Sequence, residues 1–328
     1  MSAAGRWRAP ALVRGATLLA ALAILAGSSA QAESTRPYRI GVLNEAFSAN
    51  HPAVEGLKEG LRELGLVEGR DVAYEIRFTK GEPGATAAAA ADLVKAGVDV
   101  IFTSNEPATL AAKKATQSIP IVFTLVGDPV QTGIVASLGR PGGNITGISS
   151  RATELAAKRL DVLNMLVPGL RRVWFVYQNS DVTDTAARAS VLDAARRLQL
   201  VLMVREVNDP AELALVLKEA RPLDAVLAPT ADTSEISAAI FKVARIPSIF
   251  PTALWVERGG LVSYGPDLRA QGVQSARLIA KILRGTRPQD LPVEGADRID
   301  LAVNLNTAHL MEVKVPPKIL VRANVVHR

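Results

Sequence analysis

Residues 39–65 read RIGVLNEAFSANHPAVEGLKEGLRELG, and this stretch decides the fold class. Arg39–Leu43 is a short apolar run without polar alternation, the pattern of a strand covered on both faces. The loop Asn44–Asn50 follows. From Pro52 to Leu64 the apolar residues Val54, Leu57, Leu61 and Leu64 recur at three- and four-residue spacing, and Gly65 stands where a helix stops. A strand of this kind leading into a one-striped helix is the start of a βαβ unit, so the sheet it opens is parallel.

The same rhythm extends outward. Strands are predicted at Val72–Phe78, Val98–Phe102 and Pro120–Thr124, with helices at Pro83–Ala96 and Pro107–Gln117 between them. After Pro141-Gly142-Gly143-Asn144 breaks the pattern, Ile145–Ile148 is again extended. A second series follows: helix Thr153–Leu166, strand Arg172–Tyr177, helix Asp184–Leu198, strand Leu200–Arg205, helix Pro210–Ala220, strand Leu223–Ala228, helix Ser234–Val243 and strand Pro247–Phe250. The tail supplies a strand at Leu261–Tyr264, a helix at Pro266–Arg284 and a strand at Ile299–Asn304. These are too few for a core of their own, so they complete the two preceding series, and the chain crosses between them more than once. His327, the penultimate residue, is expected at a frayed end.

Residues 1–32 have the layout of a secretory signal peptide. Arg6, Arg8 and Arg14 precede an apolar run of 11 residues, Ala16–Ala26, and Ala30-Gln31-Ala32 fits a small-x-small cleavage site. The run is shorter than the ~20 residues of a spanning helix. Formal net charge is +6, but removing this leader leaves 35 basic and 32 acidic residues, with no concentrated basic patch for a nucleic-acid partner. Cysteine is absent, which excludes disulfides, thiolate nucleophiles, Cys-based metal sites and a lipid anchor. The mature chain is expected in the periplasm, diffusing freely.

In parallel sheets ligands bind beyond the carboxyl ends of the strands. The loops at those ends nominate Asn44, Phe47, Ser104, Asn105, Thr124, Asp128, Tyr177, Asn179, Thr230, Asp232, Trp255 and Tyr264. Each has an alternative structural reading. Ser104 and Asn105 are helix caps that also suit a ligand anion. Asp128 suits a ligand ammonium or its own turn. The aromatics suit stacking on a ligand or the core. Glu106 places a negative charge beside the cap. The three histidines, His51, His309 and His327, lie outside any nucleophile motif or metal-ligand spacing, and no phosphate-binding glycine loop occurs. No enzyme activity, metal or cofactor is expected; a carboxylate-based hydrolase is the remote alternative.

Several segments together resemble the substrate-binding proteins of ABC transporters, a family that includes tryptophan- and tyrosine-binding lipoproteins. They are Tyr38–Leu43, Ile119–Phe123, Gly127-Asp128-Pro129-Val130, Leu138-Gly139-Arg140-Pro141-Gly142-Gly143-Asn144-Ile145-Thr146-Gly147 and Pro316-Pro317-Lys318-Ile319-Leu320. The resemblance implies the type 1 periplasmic-binding-protein fold, an α/β architecture of two flavodoxin-like, doubly wound parallel-sheet lobes joined by a hinge of three crossings. It places one lobe at 38–147 plus 264–291 and the other at 148–263 plus 292–328. It implies a monomer that closes on an amino acid or an aromatic or aliphatic carboxylate, with a membrane permease and an ATPase as partners. By position it points to Ser104, Asn105, Asp128, Asn179 and Asp232. The sequence departs from many relatives at Thr103-Ser104-Asn105-Glu106-Pro107, where they carry a Gly-rich stretch. A LacI-like regulator needs a DNA-binding module where the leader stands, and a sensory ectodomain needs a later membrane span. A soluble protein serving a chemoreceptor or sensor kinase would look the same in sequence. N-terminal sequencing of the exported protein is expected to begin at Glu33; a chain still starting upstream of Ala16 would reject the leader reading.

Overall fold

The computed structural model describes residues 36–45, 51–80, 82, 84–178, 182–230, 235–243 and 246–328. The leader lies outside them. Its elements run β1 (Tyr38–Asn44), α1 (Pro52–Glu63), β2 (Val72–Phe78), α2 (Ala85–Ala96), β3 (Val100–Thr103), α3 (Glu106–Ala115), β4 (Ile121–Val126) and β5 (Ile145–Ser149). Then come α4 (Ala152–Leu166), β6 (Arg172–Tyr177), α5 (Val182–Arg197), β7 (Val201–Glu206), α6 (Pro210–Leu217), β8 (Asp224–Leu227), α7 (Glu235–Val243), β9 (Ser248–Phe250), α8 (Ala253–Glu257) and β10 (Val262–Pro266). The tail holds α9 (Leu268–Leu283), β11 (Glu294–Gly295), β12 (Ile299–Asn304), α10 (Leu305–Leu310), α11 (Pro317–Arg322) and β13 (Val325–His327).

Two sheets result. The first has strand order β11-β5-β4-β3-β1-β2 and every pairing in it is parallel. The second has order β13-β12-β10-β9-β8-β6-β7 and is parallel apart from the β10–β12 pair. The order second-first-third-fourth-fifth therefore occurs twice, the flavodoxin-like winding expected from the repeated rhythm. Each sheet reverses its direction of winding at one place, between β1 and β3 in the first and between β6 and β8 in the second.

Both faces of each sheet are covered, which is why the strands are apolar without alternation. On one face of the first sheet Ile40, Val42, Val100, Phe102 and Val122 meet Val54, Leu57 and Leu61 of α1 and Ile279 of α9. On the other, Leu43, Ile101, Ile121 and Phe123 meet Leu93 and Ala112. In the second sheet Val173, Phe175, Ala225 and Leu227 face α4 and α5, while Trp174, Val176, Val226 and Phe250 face α6 and α7.

The tail completes both sheets. The chain leaves the first sheet after β5, returns to it from β10 through α9 and β11, and leaves again for β12. Helix α9 is held against α1 by contact of backbone on backbone. A Cβ at Gly272 would stand 2.0 Å from the Ala53 carbonyl oxygen, and one at Gly56 would stand 1.9 Å from that of Arg269. No side chain fits at either position. His327, expected at a frayed end, instead lies in β13, because β12 offers a free edge: Val325, Val326 and His327 pair with Ala302, Val303 and Asn304. The short elements β11 and α8 were also not anticipated. Among the described residues no helix is long and apolar enough to cross a membrane.

The base of the second sheet is fastened by Asp224, which is 2% exposed. Its carboxylate accepts from Arg172 Nε at 2.9 Å and Nη2 at 2.6 Å, from Trp174 Nε1 at 3.0 Å and from the Arg221 N–H at 2.9 Å. Burial works against ionisation, but these donors and the Arg172 charge outweigh it and hold the carboxyl below the usual carboxylate range. A group depressed in this way stabilises the fold above its unfolded pKa of ~3.9 and loses that contribution as the pH falls through its folded value. Asp224→Asn is expected to cost about 3 kcal/mol at pH 7. Denaturant melts should show the gap to the wild type narrowing steadily below about pH 4; a gap independent of pH would contradict this assignment.

Candidate functional site

The two places where winding reverses leave crevices at the carboxyl ends of the strands, because the loops on either side depart to opposite faces of the sheet. In the first sheet Leu43 of β1 lies in register with Thr103 of β3, so Asn44 and Ser104 emerge side by side. Ser104 Oγ donates to Asn44 Oδ1 at 2.9 Å, and both residues are buried. Asn105 caps α3: its Oδ1 accepts from the Ala108 N–H at 2.9 Å, and its Nδ2 donates to Glu45 Oε2 at 3.0 Å. Thr86 donates to the other oxygen of Glu45. The cap reading of Asn105 and the link to the loop after β1 therefore coexist in one side chain.

The end of β4 is bent. Leu125 has a φ of 57°, in the left-handed region disfavoured for a residue with a Cβ. The register with β5 shifts across Phe123 and Val126. Gln271 of α9 supports this bend, with its Oε1 accepting from Thr124 Oγ1 at 2.8 Å and from the Leu125 N–H at 3.4 Å. Asp128 folds the turn that follows: its Oδ1 accepts from the N–H groups of Val130 at 3.2 Å and Gln131 at 3.1 Å. Of the two roles open to Asp128, these bonds are those of the turn.

In the second sheet Tyr177 ends β6, stacked on Phe175 with centroids 5.9 Å apart, and the Arg188 guanidinium lies 5.8 Å from its ring. Thr230 follows β8 and is buried; Arg159 Nη2 donates to its Oγ1 at 3.4 Å. Asp184, fully buried in the first turn of α5, accepts from the Gln178 and Thr230 N–H groups. Trp255 packs in the core beside Phe250, and its Nε1 is inaccessible and without a hydrogen-bond partner. Tyr264 is half-buried in β10 against the core on the α4 side. The structure thus brings Asn44, Ser104 and Asn105 together, sets Thr124 and Asp128 at the next strand end, and places Tyr177 and Thr230 in the second sheet. Phe47, Asn179 and Asp232 lie outside the described residues.

The two sets of strand ends meet at the first turn of α5. Thr183 Oγ1 lies 3.5 Å from Glu106 Oε2, where it donates a long hydrogen bond. A Cβ on Gly127 would fall 2.4 Å from Thr183 Cγ2, so glycine is what allows the loop after β4 to approach this closely. Glu106, at the start of α3, thereby faces the second sheet.

Four residues of this region were missed by the sequence reading: Arg159, Thr183, Asp184 and Gln271. A signal existed for two of them. Arg159 occupies the helical stripe of Leu155 and Leu163, and Gln271 that of Leu268 and Ser275, so a polar residue stands where the period demands burial. An open groove of about 430 Å³ lies elsewhere, over the outer faces of α1 and α9. Its charges pair with one another: Arg269 with Glu59 at 2.9 Å and Arg298 with Asp267 at 3.2 Å. Among the described residues no cluster of His, Asp or Glu is arranged to hold a metal.

Comparison with known proteins agrees with this geometry. The model of the family described as "ABC transporter substrate binding protein" matches residues 46–327, and the chain belongs to that family. A relative, the tyrosine-binding protein of Clostridioides difficile (strain R20291), is 26% identical over 313 residues, covering 92% of this chain and 90% of the relative. The crystal structure of a conserved domain protein from Vibrio cholerae O1 biovar El Tor has a TM-score of 0.78 at 26% identity, covering 89% of this chain and 100% of that one. A Streptococcus pneumoniae ABC domain in complex with L-Trp also has a TM-score of 0.78, at 23% identity over 89% of this chain and 100% of its own, a likeness of fold. The fold, two mostly parallel sheets with three chain crossings, is that of the type 1 periplasmic binding proteins. The family's members are binding proteins.

Proposed function

We propose that this chain is the periplasmic receptor of an ABC importer and that it captures an amino acid, with an aromatic one first in line, between the carboxyl ends of its two sheets. The observation that carries this reading is the meeting of Thr183 with Gly127 and Glu106, which sets one crevice opposite the other. A solute held there touches both sheets, and a protein that closes on it must bind it better closed than open. The three crossings between sheets are few and short enough to act as a hinge, at 149–152, 266–268 and 295–299. The two lobes are then the two sheets with their helices. The tyrosine-binding relative and the L-Trp complex support an aromatic amino acid as the cargo. Asn44, Ser104, Asn105, Tyr177 and Thr230 stand at the strand ends that would receive it, and Asn179 and Asp232 lie close to two of them in sequence. The chain works as a monomer, delivering to a permease driven by an ATPase, and performs no catalysis.

The decisive test is a thermal-shift screen of residues 33–328 against amino acids, aromatic and aliphatic acids, sugars and purines. A ligand at 100 times its Kd stabilises by about 2.7 kcal/mol. That raises the Tm by roughly 4 °C for a chain of this size. A response confined to amino acids supports the reading; a response confined to sugars or purines would replace the cargo, and none at all would count against a receptor for these classes. In the same assay Asn179→Ala and Asp232→Ala should bind more weakly with unligated Tm unchanged.

A second outcome concerns closure. Gly127→Ala forces Thr183 away and is expected to weaken binding of the ligand found by the screen by about tenfold, a cost of roughly 1.4 kcal/mol. Calorimetry giving wild-type affinity for Gly127→Ala would show that this approach is not part of the bound state.

A further inference from the structure

The second sheet solves a problem at its crevice that the first solves differently. Beyond β1 and β3 the side chains of Asn44 and Ser104 bond to each other directly. Beyond β6 and β8 one carboxylate does the tying. Asp184 Oδ2 accepts from the N–H of Gln178 at 3.2 Å, the residue after β6, and its Oδ1 accepts from the N–H of Thr230 at 2.5 Å, past the end of β8. The strands part company here, since the chain leaves β6 for α5 on one face and β8 for α7 on the other. Two backbone N–H groups at such a fork have no ladder to join, and one ionised carboxyl has acceptors for both. Asp184 is fully buried, so water does not substitute for it. Thr230 is tied a second time, through its side chain, by Arg159.

The neighbouring residue completes the arrangement. Thr183, in the same turn of α5, bears on Gly127 and donates to Glu106 of the first sheet. One helical turn therefore holds the two strand-end loops of its own sheet and touches the opposite one. We propose that Asp184 is the positioning residue of the binding site: it fixes the separation of Gln178 and Thr230 at the ends of β6 and β8, and with it the placement of Thr183 against the first sheet. This rests on the reading of the facing crevices as the ligand site. The role needs two acceptors. An amide at this position keeps one and turns an N–H₂ towards the other backbone donor, leaving that donor buried and unpaired.

Amide hydrogen exchange on residues 33–328 without ligand, read with calorimetric titration of L-tryptophan and L-tyrosine, tests the assignment. In the wild type the Gln178 and Thr230 amides, although outside helix and strand, should exchange about 100-fold or more slower than free peptide. In Asp184→Asn the amide left facing the new N–H₂, that of Gln178 or of Thr230, should exchange at least tenfold faster, while the amides of β2 and β7 keep their protection, and affinity for whichever of the two amino acids binds should fall about tenfold. Free-peptide exchange at the two amides in the wild type overturns the proposal, as does unchanged exchange in Asp184→Asn. Faster exchange with wild-type affinity also overturns it, since a purely structural bond would behave in that way. If the variant does not fold, the wild-type protection of the two amides decides. If the wild type binds neither amino acid, the aromatic cargo is rejected, and the affinity of Asp184→Asn is read with the ligand that the thermal-shift screen finds.

Discussion

The reversal of winding in a parallel sheet is the constraint on which the rest of this molecule depends. Where consecutive connections run to opposite faces, the strand ends are left with backbone donors and acceptors that no neighbour can use. Each sheet has one such fork: at the first the Ser104 N–H still reaches the Leu43 carbonyl and the side chains of Asn44 and Ser104 bond to each other, and at the second Asp184 takes two backbone donors while Arg159 bonds the Thr230 hydroxyl. The proposed binding role grows out of this requirement. A site rich in hydrogen-bonding groups, held by buried partners and open towards a second such site, is what remains once the forks are satisfied.

Much of the fold was legible in the sequence because burial on both faces leaves a plain mark. Runs such as Ile121–Phe123 and Val173–Tyr177 are apolar residue after residue, and the amphipathic helices between them carry one stripe each. The elements that escaped notice lack that mark. β11 is two residues long and is defined by its pairing with β5. β13 exists because β12 leaves an edge within reach of the C-terminus. α8 spans a single turn and a half, too short for a period to show.

The candidate site was legible in the loops and illegible in the supports. Asn44, Ser104, Asn105 and Thr230 follow strands directly, so topology alone nominates them. Asp184 and Gln271 act on those loops from helices, one just after its strand and the other far along the chain, and a rule about strand ends does not look there. The aromatic residues divide. Tyr177 stands at a strand end beside Arg188, whereas Trp255 is closed in with Phe250. Proximity in sequence to a strand end does not determine which side of the end a large ring will occupy.

The backbone contact between α1 and α9 bears on the order in which the molecule can be assembled. Five of the six strands of the first sheet are present once Ser149 has been made, yet the face bearing Ile40, Val42 and Phe102 is completed by Ala276, Ile279 and Ile282 of α9. Those residues leave the ribosome only after nearly the whole second sheet. A fragment ending near residue 150 would have that face covered by α1 alone, with the glycine surface of α1 bare, so the first half has no complete core of its own during synthesis. The interruption of one half by the other ties the burial of the earliest residues to the arrival of some of the latest, and a chain of this design reaches its native packing as a whole or not at all.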